Sequence, residues 1–295
     1  MEVARGGMDV TQRDESEANV RAQIEREGYV IVPAAVPREC CAAVVADIWE
    51  HTGARPDDRE SWYRPGIIGP TGMVEMYHYQ SMWDCRQHPD VHRAFTEVFG
   101  ADGLWVSLDR VNLKPPADPA HAAYDNRGFM HWDTDITRYP ELPFGVQGVL
   151  ALTDTDATMG GFQCMPDLYR DLQRWLSARR ATGADPRRPD VDAYPVVRPE
   201  LRAGDLLIWT TLLPHGNGHN VSRQPRLAQY ISMGLARWED EPARRQRVRC
   251  WEESLPPPAD PFPGDPRQIE QRRGRRAVLT ALGRRLLGLE RWGEA

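Results

Sequence analysis

The amino-acid sequence predicts a mostly β fold with flanking helices, built around a sandwich or jelly roll. Three observations predict it. Short β-like runs recur between residues 104 and 237 with turn residues between them, helical patterns precede this region, and an amphipathic helical pattern follows it. The chain has 295 residues, 41% hydrophobic and 27% charged, which is typical of a globular protein.

The N-terminal part, residues 14–103, is predicted to be mainly helical. Residues 1–13 are polar and charged without periodicity, so we expect them to be disordered. Helix-capping residues, glycines and prolines mark where the helices and the strand of this part begin or end. The elements are a helix over Ser16–Glu27 before Gly28, a strand over Tyr29–Pro33, a helix from Pro37 to Trp49, and a helix over Pro89–Phe99 before Gly100.

Residues 53–82, between the second and third predicted helices, have no regular period and are rich in aromatic residues. Gly, Pro and Asp alternate there with bulky side chains such as Trp62, Tyr63 and Tyr77. Such a segment is either a set of loops packed on the core or a lid over a pocket, and Trp62–Trp83 is the candidate lid.

Residues 104–240 are predicted to form the β core. Turn residues such as Met159-Gly160-Gly161 separate the runs, and a helix-like insert over Tyr169–Arg180 interrupts them. The predicted strands are Leu104–Leu113, Gly145–Leu152, Gly161–Met165, Leu206–Thr211 and Leu227–Leu235. Short strands at this spacing favour a sandwich or jelly roll.

The C-terminal part, residues 251–295, is predicted to be a linker followed by a helix. Residues 251–266 are rich in proline. Four leucines then recur at helical spacing, namely Leu279, Leu282, Leu286 and Leu289. Together with the two parts before it, this part is predicted to complete a single domain over residues 14–295.

Charge and cysteine content narrow the classes of partner. A net charge of −6 argues against nucleic acid or an anionic membrane surface, both of which need a positive field. No stretch approaches 18 apolar residues, and the N-terminus shows no apolar signal-peptide region. Five cysteines without CxxC spacing indicate reduced thiols in a cytoplasmic protein. We expect a small-molecule substrate, whereas the sequence does not indicate an oligomeric state.

The segment Gly128-Phe-Met-His131-Trp-Asp133 carries the first candidate metal ligands. His131 and Asp133 are two residues apart, so in a strand both side chains point to one face and can reach one metal ion. Two histidines and one carboxylate form the facial triad of non-haem Fe(II) oxygenases and leave three coordination positions open. The pair alone is a weak signal, since a strand histidine is more often an ordinary hydrogen-bonded core residue.

The third candidate ligand follows the apolar run Leu206–Thr210. His215 comes soon after this run, whereas His219, the alternative ligand, lies in a glycine-rich turn where its direction is less constrained. We therefore prefer His215. Arg226 begins the next strand, where its guanidinium can bind a carboxylate through two hydrogen bonds. A dicarboxylate cosubstrate requires such a contact at the end remote from the metal.

Lys114 is the only lysine among the 37 Lys and Arg residues. In a chain that otherwise uses arginine, a retained lysine indicates a place where a compact ammonium is needed, although chance survival is the simpler alternative. Residues 110, 112 and 114 share one face of a predicted strand, so Lys114 can point into the barrel with Asn112 beside it.

Taken together, these motifs resemble the phytanoyl-CoA dioxygenase family of Fe(II)/2-oxoglutarate oxygenases. The resemblance runs from Gly28 through Arg226 and arguably extends to Leu289. It implies a double-stranded β-helix, the cupin-like jelly roll, with Fe(II) as cofactor and 2-oxoglutarate and O2 as cosubstrates. The implied iron ligands are His131, Asp133 and His215, and the implied 2-oxoglutarate contacts are Lys114, Arg226, Asn217 and Ser222.

The sequence also departs from the family pattern. Pro166-Asp-Leu-Tyr169 replaces the usual Pro-Gly-Ser/Thr-His turn, Val149 aligns with a tryptophan of some members, and Asn217 stands where some members have serine. These departures concern the substrate rather than the iron chemistry. Asp133 keeps the carboxylate that related halogenases replace with a small residue, so halogenation is not expected.

The resemblance implies a dioxygenase that oxidises an unactivated C–H bond of a small molecule and releases succinate and CO2. Hydroxylation is the preferred outcome, and desaturation, ring closure and epoxidation are the alternatives. A natural-product intermediate is the candidate substrate. The alternatives are another metal-dependent jelly-roll enzyme of the cupin type and a non-catalytic binding protein on the same fold. Retention of both Lys114 and Arg226 favours the dioxygenase.

Overall fold

The strands of the protein form one large antiparallel sheet and two small ones. The computed structural model describes residues 20–259 and 261–293, so the predictions for residues 1–13 and for a helix start at Ser16 lie outside the described residues. The strands are β1 (Tyr29–Val32), β2 (Met73–Val74), β3 (Leu104–Val106), β4 (Val111–Lys114), β5 (Val146–Ala151), β6 (Phe162–Cys164), β7 (Leu206–Thr210), β8 (His215–Asn217), β9 (Arg226–Tyr230) and β10 (Met233–Leu235).

The large sheet has the strand order β1-β7-β5-β9-β4-β2, and all of its pairs are antiparallel. The sheets β6-β8 and β3-β10 are two-stranded. Non-sequential neighbours such as β5-β9 and β1-β7 show that the chain crosses between sheets, as it does in a jelly roll. The predicted mostly β core is therefore confirmed.

Helices surround this core. They comprise helical residues 20–27 (α1), α2 (Arg38–Thr52), α3 (Gln80–Arg86), α4 (Pro89–Phe99), α5 (Pro166–Arg170), α6 (Leu172–Thr182), α7 (Glu241–Glu253), α8 (Ile269–Arg273) and α9 (Ala281–Leu287). Gly28, Gly53 and Gly100 end α1, α2 and α4 with positive φ, which glycine adopts without steric cost. None of the helices in the described ranges combines the length and the apolarity that a bilayer crossing requires.

Side chains along each strand point alternately to the two faces of the large sheet, and each face is covered by a separate hydrophobic core. Leu206 and Ile208 of β7 face the main core, which α2, α3, α4 and α9 complete. Leu207 and Trp209 face a second core, where Phe162 and Cys164 of β6 pack against them. Successive strand residues point to opposite faces, so this strand is apolar throughout because both of its faces are buried.

Three predictions need correction. Leu104–Leu113 and Leu227–Leu235 are each two strands rather than one, because β3 and β10 form a separate two-stranded sheet whereas β4 and β9 belong to the large one. Residues 251–253, predicted as the start of a linker, are the last turn of α7, which the sequence did not predict. All five cysteines are free.

Most aromatic residues of the candidate lid Trp62–Trp83 belong to the main core. Trp62, Tyr63, Tyr79 and Trp83 are each at most 7% exposed and pack in that cluster. This burial favours loops packed on the core over a lid as the reason for the aromatic content of the segment.

Candidate active site

The inner face of the large sheet carries a band of polar side chains on three adjacent strands. Register pairing sets Lys114 of β4 opposite Arg226 of β9, and Val149 of β5 opposite Tyr230 of β9. Residues at even spacing share this face, so each strand contributes two or more side chains to it. The polar side chains on this face are Asn112 and Lys114 of β4, Arg226 and Tyr230 of β9, and Gln147 of β5, and Val149 of β5 lies on the same face.

His131 is held against β8 by a pair of backbone hydrogen bonds. The amide of His131 donates to the carbonyl of His215 at 2.9 Å, and the amide of His215 donates to the carbonyl of His131 at 3.0 Å. The two imidazoles consequently lie side by side, with ring centroids 4.8 Å apart. Asp133 follows two residues later, and its carboxylate oxygens lie 3.2 Å from His131 Nε2 and 3.4 Å from His215 Nε2.

Backbone carbonyls orient both imidazole rings. Nδ1 of His215 lies 2.9 Å from the carbonyl of Leu213, and Nδ1 of His131 lies 3.3 Å from the carbonyl of Phe129. A carbonyl accepts only from a protonated Nδ1, so this contact leaves the Nε2 lone pair free for a metal ion. One donor atom each from His131, Asp133 and His215 lies within 4.8 Å of the others.

Gln147 fixes the Asp133 carboxylate from the sheet side. Its Nε2 donates to Asp133 Oδ2 at 2.8 Å. When their Nε2 atoms are protonated, His131 and His215 donate to this carboxylate, and these contacts, followed by that from Gln147, hold the pKa of Asp133 well below its usual range. This favours the ionised carboxylate, which is the form that binds a divalent cation.

Two buried cations lie next to this cluster without a carboxylate partner among the described residues. Arg226 is 2% exposed and donates only to the amide oxygens of Asn112 at 3.3 Å and Asn217 at 3.5 Å. Lys114, also 2% exposed, donates to the carbonyl of Gly218 and to Asn126 Oδ1. Burial, followed by the charge of Arg226, lowers the pKa of Lys114 to about 8. A pair of buried positive charges with neutral partners is complementary to an anion.

The remaining predicted residues have different positions. Asn217 lines the cavity described below and donates to the Tyr230 hydroxyl at 3.2 Å. Ser222 is not among the residues that line the cavity, and its hydroxyl can donate within its own turn to Asn220 Oδ1 or to the carbonyl of Gln224, so its contact with the cosubstrate stays a prediction. The alternative ligand His219 pairs with Asp125 at 2.6 Å, away from the triad.

A cavity of about 480 Å³ contains the triad and Arg226 in its walls. Its other lining residues include apolar side chains from β5, β6, β7 and the loop before His131, together with Pro261 and Phe262 from the C-terminal part. From the aromatic segment only Thr71 and Met73 line it. Lys114 lies directly behind this wall, in contact with the lining residue Asn126.

Sequence reasoning missed Gln147, Asn126 and Phe262. A glutamine within the apolar strand Val146–Ala151 was a signal for Gln147, since a polar residue at a buried strand position requires a partner. No comparable signal pointed to Phe262, because residues 251–266 have the composition of a linker.

A jelly roll with two histidines and one carboxylate on a cavity wall, beside a buried arginine and lysine, defines the class of non-haem iron oxygenases that use 2-oxoglutarate. The chain belongs to the phytanoyl-CoA dioxygenase (PhyH) family, whose sequence model matches residues 24–228.

Two relatives of known sequence support this assignment. A Dictyostelium discoideum protein named "Putative phytanoyl-CoA dioxygenase" is 21% identical over 258 residues, which cover 71% of this chain and 73% of that protein. Ava biosynthesis cluster protein O of Aspergillus versicolor is 24% identical over 270 residues, which cover 80% of this chain and 83% of that protein.

Solved structures confirm the fold. A hypothetical protein from Escherichia coli superposes with a TM-score of 0.67 at 16% identity, covering 92% of this chain and 84% of that one. The non-heme alpha-ketoglutarate-dependent epimerase SnoN from nogalamycin biosynthesis superposes with a TM-score of 0.53 at 20% identity, covering 76% of this chain and 84% of that one.

Proposed function

We propose that this protein is an Fe(II)- and 2-oxoglutarate-dependent dioxygenase that hydroxylates an unactivated C–H bond of a small molecule. His131, Asp133 and His215 would hold the iron, and Arg226 with Lys114 would bind the distal carboxylate of 2-oxoglutarate. The observation that carries the proposal is the pair of buried cations, which lack a carboxylate partner among the described residues and lie beside the triad.

The donor set fits the proposed metal. Two imidazole nitrogens and one carboxylate suit Fe(II) and leave coordination positions for a chelating 2-oxo acid and for O2. A structural zinc site would be closed by a fourth protein ligand, and among residues 20–259 and 261–293 the group consists of three. When bound, the iron would supply oxidation by O2 coupled to decarboxylation of 2-oxoglutarate, with one oxygen atom going to succinate and one to the substrate.

The residues of the chain contribute orientation and exclusion of water. Carbonyl contacts at Nδ1 fix the two imidazoles, and Gln147 fixes the carboxylate, so the three ligands would need little rearrangement on binding. Phe162, Trp209 and Val149 supply apolar wall around the cluster, which limits the access of water to the reacting centre.

The proposed substrate is a natural-product intermediate. Support comes from the Aspergillus relative, which is described as a biosynthesis cluster protein, and from the SnoN structure, which contains Fe3+, alpha-ketoglutarate and nogalamycin RO. The cavity wall includes the apolar side chains of Phe129, Val149, Phe162, Trp209 and Phe262, which suit the hydrocarbon part of a substrate.

Anaerobic titration tests the binding part of this proposal. Adding 2-oxoglutarate to the Fe(II) protein should produce a metal-to-ligand absorption band. His215→Ala should abolish the band, whereas His219→Ala should retain it. Arg226→Ala should raise the 2-oxoglutarate concentration required by roughly 30-fold or more, since truncating one partner of a buried charged contact costs about 2–5 kcal/mol. A normal band in His215→Ala would contradict the ligand assignment.

Product analysis under 18O2 tests the reaction. Hydroxylation places one 18O atom in the product and one in succinate. A product without 18O, for example an epimer of the substrate, would contradict hydroxylation while leaving the iron and 2-oxoglutarate assignments intact.

A further inference from the structure

The two ends of the cavity lie along one strand. Lys114 and Arg226 mark one end of the β4-β9 pair. Arg110 lies four residues before Lys114 on the same face, and its carbonyl accepts from the amide of Tyr230 at 3.0 Å. At a rise of about 3.3 Å per residue, these two ends are roughly 13 Å apart.

The metal cluster belongs to the Arg110 end. Val149 of β5 is opposite Tyr230, and Gln147, which holds Asp133, lies two residues further along β5 in the direction away from Arg226. A cosubstrate that reaches from Arg226 to the iron therefore occupies the other end. The space left for a substrate lies toward Arg110.

The C-terminal part closes this end with the ring of Phe262. The guanidinium carbon of Arg110 lies 4.6 Å from the centroid of the Phe262 ring, and Nη1 of Arg110 donates to the carbonyl of Pro261 at 2.7 Å. Glu75 pairs with the same guanidinium at 2.8 Å and accepts from the amide of Gly264 at 3.2 Å. The side chain of Arg110 is 9% exposed, so these contacts are well shielded from water.

The charges at this end are balanced. Arg110 faces Glu75 at 2.8 Å and Asp109 at 3.6 Å, and Arg86 donates to the carbonyl of Asp109. Of the residues that line the cavity at this end, Asp109 and Arg110 are charged and face each other, whereas Pro261, Phe262 and Ser232 are uncharged. Among the residues that the structure describes, a charged substrate group would therefore find no free counter-charge at this end, whereas Arg226 and Lys114 remain available at the other.

We propose that Phe262 is a specificity-determining residue, and that the substrate group presented to the iron is uncharged, largely apolar and limited in size by this ring. This inference rests on the proposed function, since it uses the iron site as its reference point. Phe262 lies outside residues 24–228, which match the family, so the wall is supplied by a part of the chain that the family model does not include.

Metal-binding probes of graded size test the proposal without requiring the natural substrate. Co(II) replaces Fe(II), 2-oxoglutarate is added, and imidazole or 4-phenylimidazole is titrated while the visible Co(II) spectrum is recorded. Phe262→Ala should improve the affinity for 4-phenylimidazole relative to imidazole at least tenfold over wild type. Phe262→Trp should change this ratio in the opposite direction. Phe144→Ala, at an exposed phenylalanine that does not line the cavity, is the matched control.

The outcomes separate the two levels of inference. An unchanged affinity ratio in both Phe262→Ala and Phe262→Trp, with Co(II) and 2-oxoglutarate bound normally, would overturn the role of Phe262 and leave the proposed function standing. Failure of Co(II) or 2-oxoglutarate to bind the wild type would overturn the proposed function itself.

Two further arms keep the test decisive. Imidazole-4-acetate, which is anionic, should bind more weakly than imidazole to the wild type and to Phe262→Ala. Tighter binding of imidazole-4-acetate would overturn the inference that the substrate group is uncharged.

If Phe262→Ala loses the native circular dichroism spectrum, Phe262→Leu replaces it. Phe262→Leu should change the affinity ratio in the same direction by a smaller factor, and an unchanged ratio would overturn the proposal.

Discussion

The surroundings of Lys114 disfavour the protonated, charged form of its side chain. Burial and the neighbouring Arg226 lower its pKa to about 8, and its hydrogen-bond partners are neutral oxygens. An arriving dianion would stabilise the ammonium, so the pKa of Lys114 in the complex would be higher than in the free protein.

The affinity for 2-oxoglutarate should therefore be greatest below pH 8 and fall as the pH rises above 8. In that range the free protein loses the proton that the complex retains, so binding must recover it. Titrations of the anaerobic Fe(II) protein between pH 7 and 9.5 measure this dependence. Lys114→Met should bind more weakly and with a flatter profile, and an identical slope in both proteins would remove Lys114 from the cosubstrate contact.

The variant Lys114→Arg tests whether the shape of the cationic group at this position matters, since it keeps the positive charge. The ammonium donates to Gly218 and Asn126 within a space that leaves the side chain 2% exposed, and a planar guanidinium is wider. We expect the variant to bind 2-oxoglutarate at least tenfold more weakly than wild type although its charge is unchanged. Equal affinity would show that charge alone matters here.

Gln147 is predicted to be a positioning residue for the metal ligand Asp133. Replacing such an outer hydrogen-bond partner typically lowers metal affinity by about 10–100-fold. Competition for Co(II) against a chromophoric chelator should show this loss of affinity in Gln147→Leu. Gln246→Leu is the control and should bind Co(II) as the wild type does, because Gln246 lies on α7, where it donates a hydrogen bond to Cys250. An unchanged Co(II) affinity in Gln147→Leu would mean that the two imidazoles orient Asp133 sufficiently by themselves.

At the scale of elements, the pairing of β8 with the segment before His131 depends on Gly216. A Cβ at this position would lie 2.2 Å from the carbonyl oxygen of Phe129, which is backbone and cannot move aside cheaply. Gly216→Ala should therefore separate His131 from His215 and weaken Co(II) binding at least tenfold. Gly234→Ala in β10, where a Cβ meets nothing within 4 Å, is the control, and equal Co(II) affinity of the two variants would contradict this reading.

The elements that the sequence predicted well are those with an apolar period or a distinct boundary residue. β7 appears as an apolar run because both of its faces are buried, and α4 is bounded by Pro89 and Gly100. The sequence did not predict α7, because this helix has no apolar stripe. It is rich in arginine and buries only Cys250 and Trp251.

The clustering of His131, Asp133 and His215 could be predicted because each residue is placed by its own strand or strand end. His131 and Asp133 are two residues apart, and His215 follows a recognisable strand. Gln147 and Phe262 reach the same cavity through sheet register and through contact with Arg110, which are relations between distant parts of the chain. The sequence also did not show that the Ser222 hydroxyl hydrogen-bonds within its own turn.

At the scale of the whole molecule, the C-terminal part shares the main core with the sheet. Leu286 and Leu287 of α9 are fully buried in the same cluster as residues of α2 and β7. The prediction of a single domain over residues 14–295 thus implies that α9 and the sheet unfold together.

Leu286→Ala should lower the free energy of unfolding by about 2–5 kcal/mol, the usual cost of such a truncation in a core. Val278→Ala, at a side chain that is 75% exposed, should change it by no more than about 0.5 kcal/mol. Urea unfolding followed by both circular dichroism and tryptophan fluorescence measures both quantities. A separate early transition for the C-terminal part would contradict the single-domain prediction.

The solitary lysine has a practical consequence for spectroscopy. Growth on 15N-labelled lysine would introduce the label at one residue only, so an NMR spectrum of the protein would contain a single backbone lysine signal, and at low pH a single ammonium signal, without any assignment step. Because Lys114 lies behind the cavity wall beside Arg226, that one resonance would report directly on occupancy of the cosubstrate end. The arginine bias of the chain thereby provides an isotopic reporter at the position where ligand binding is to be observed.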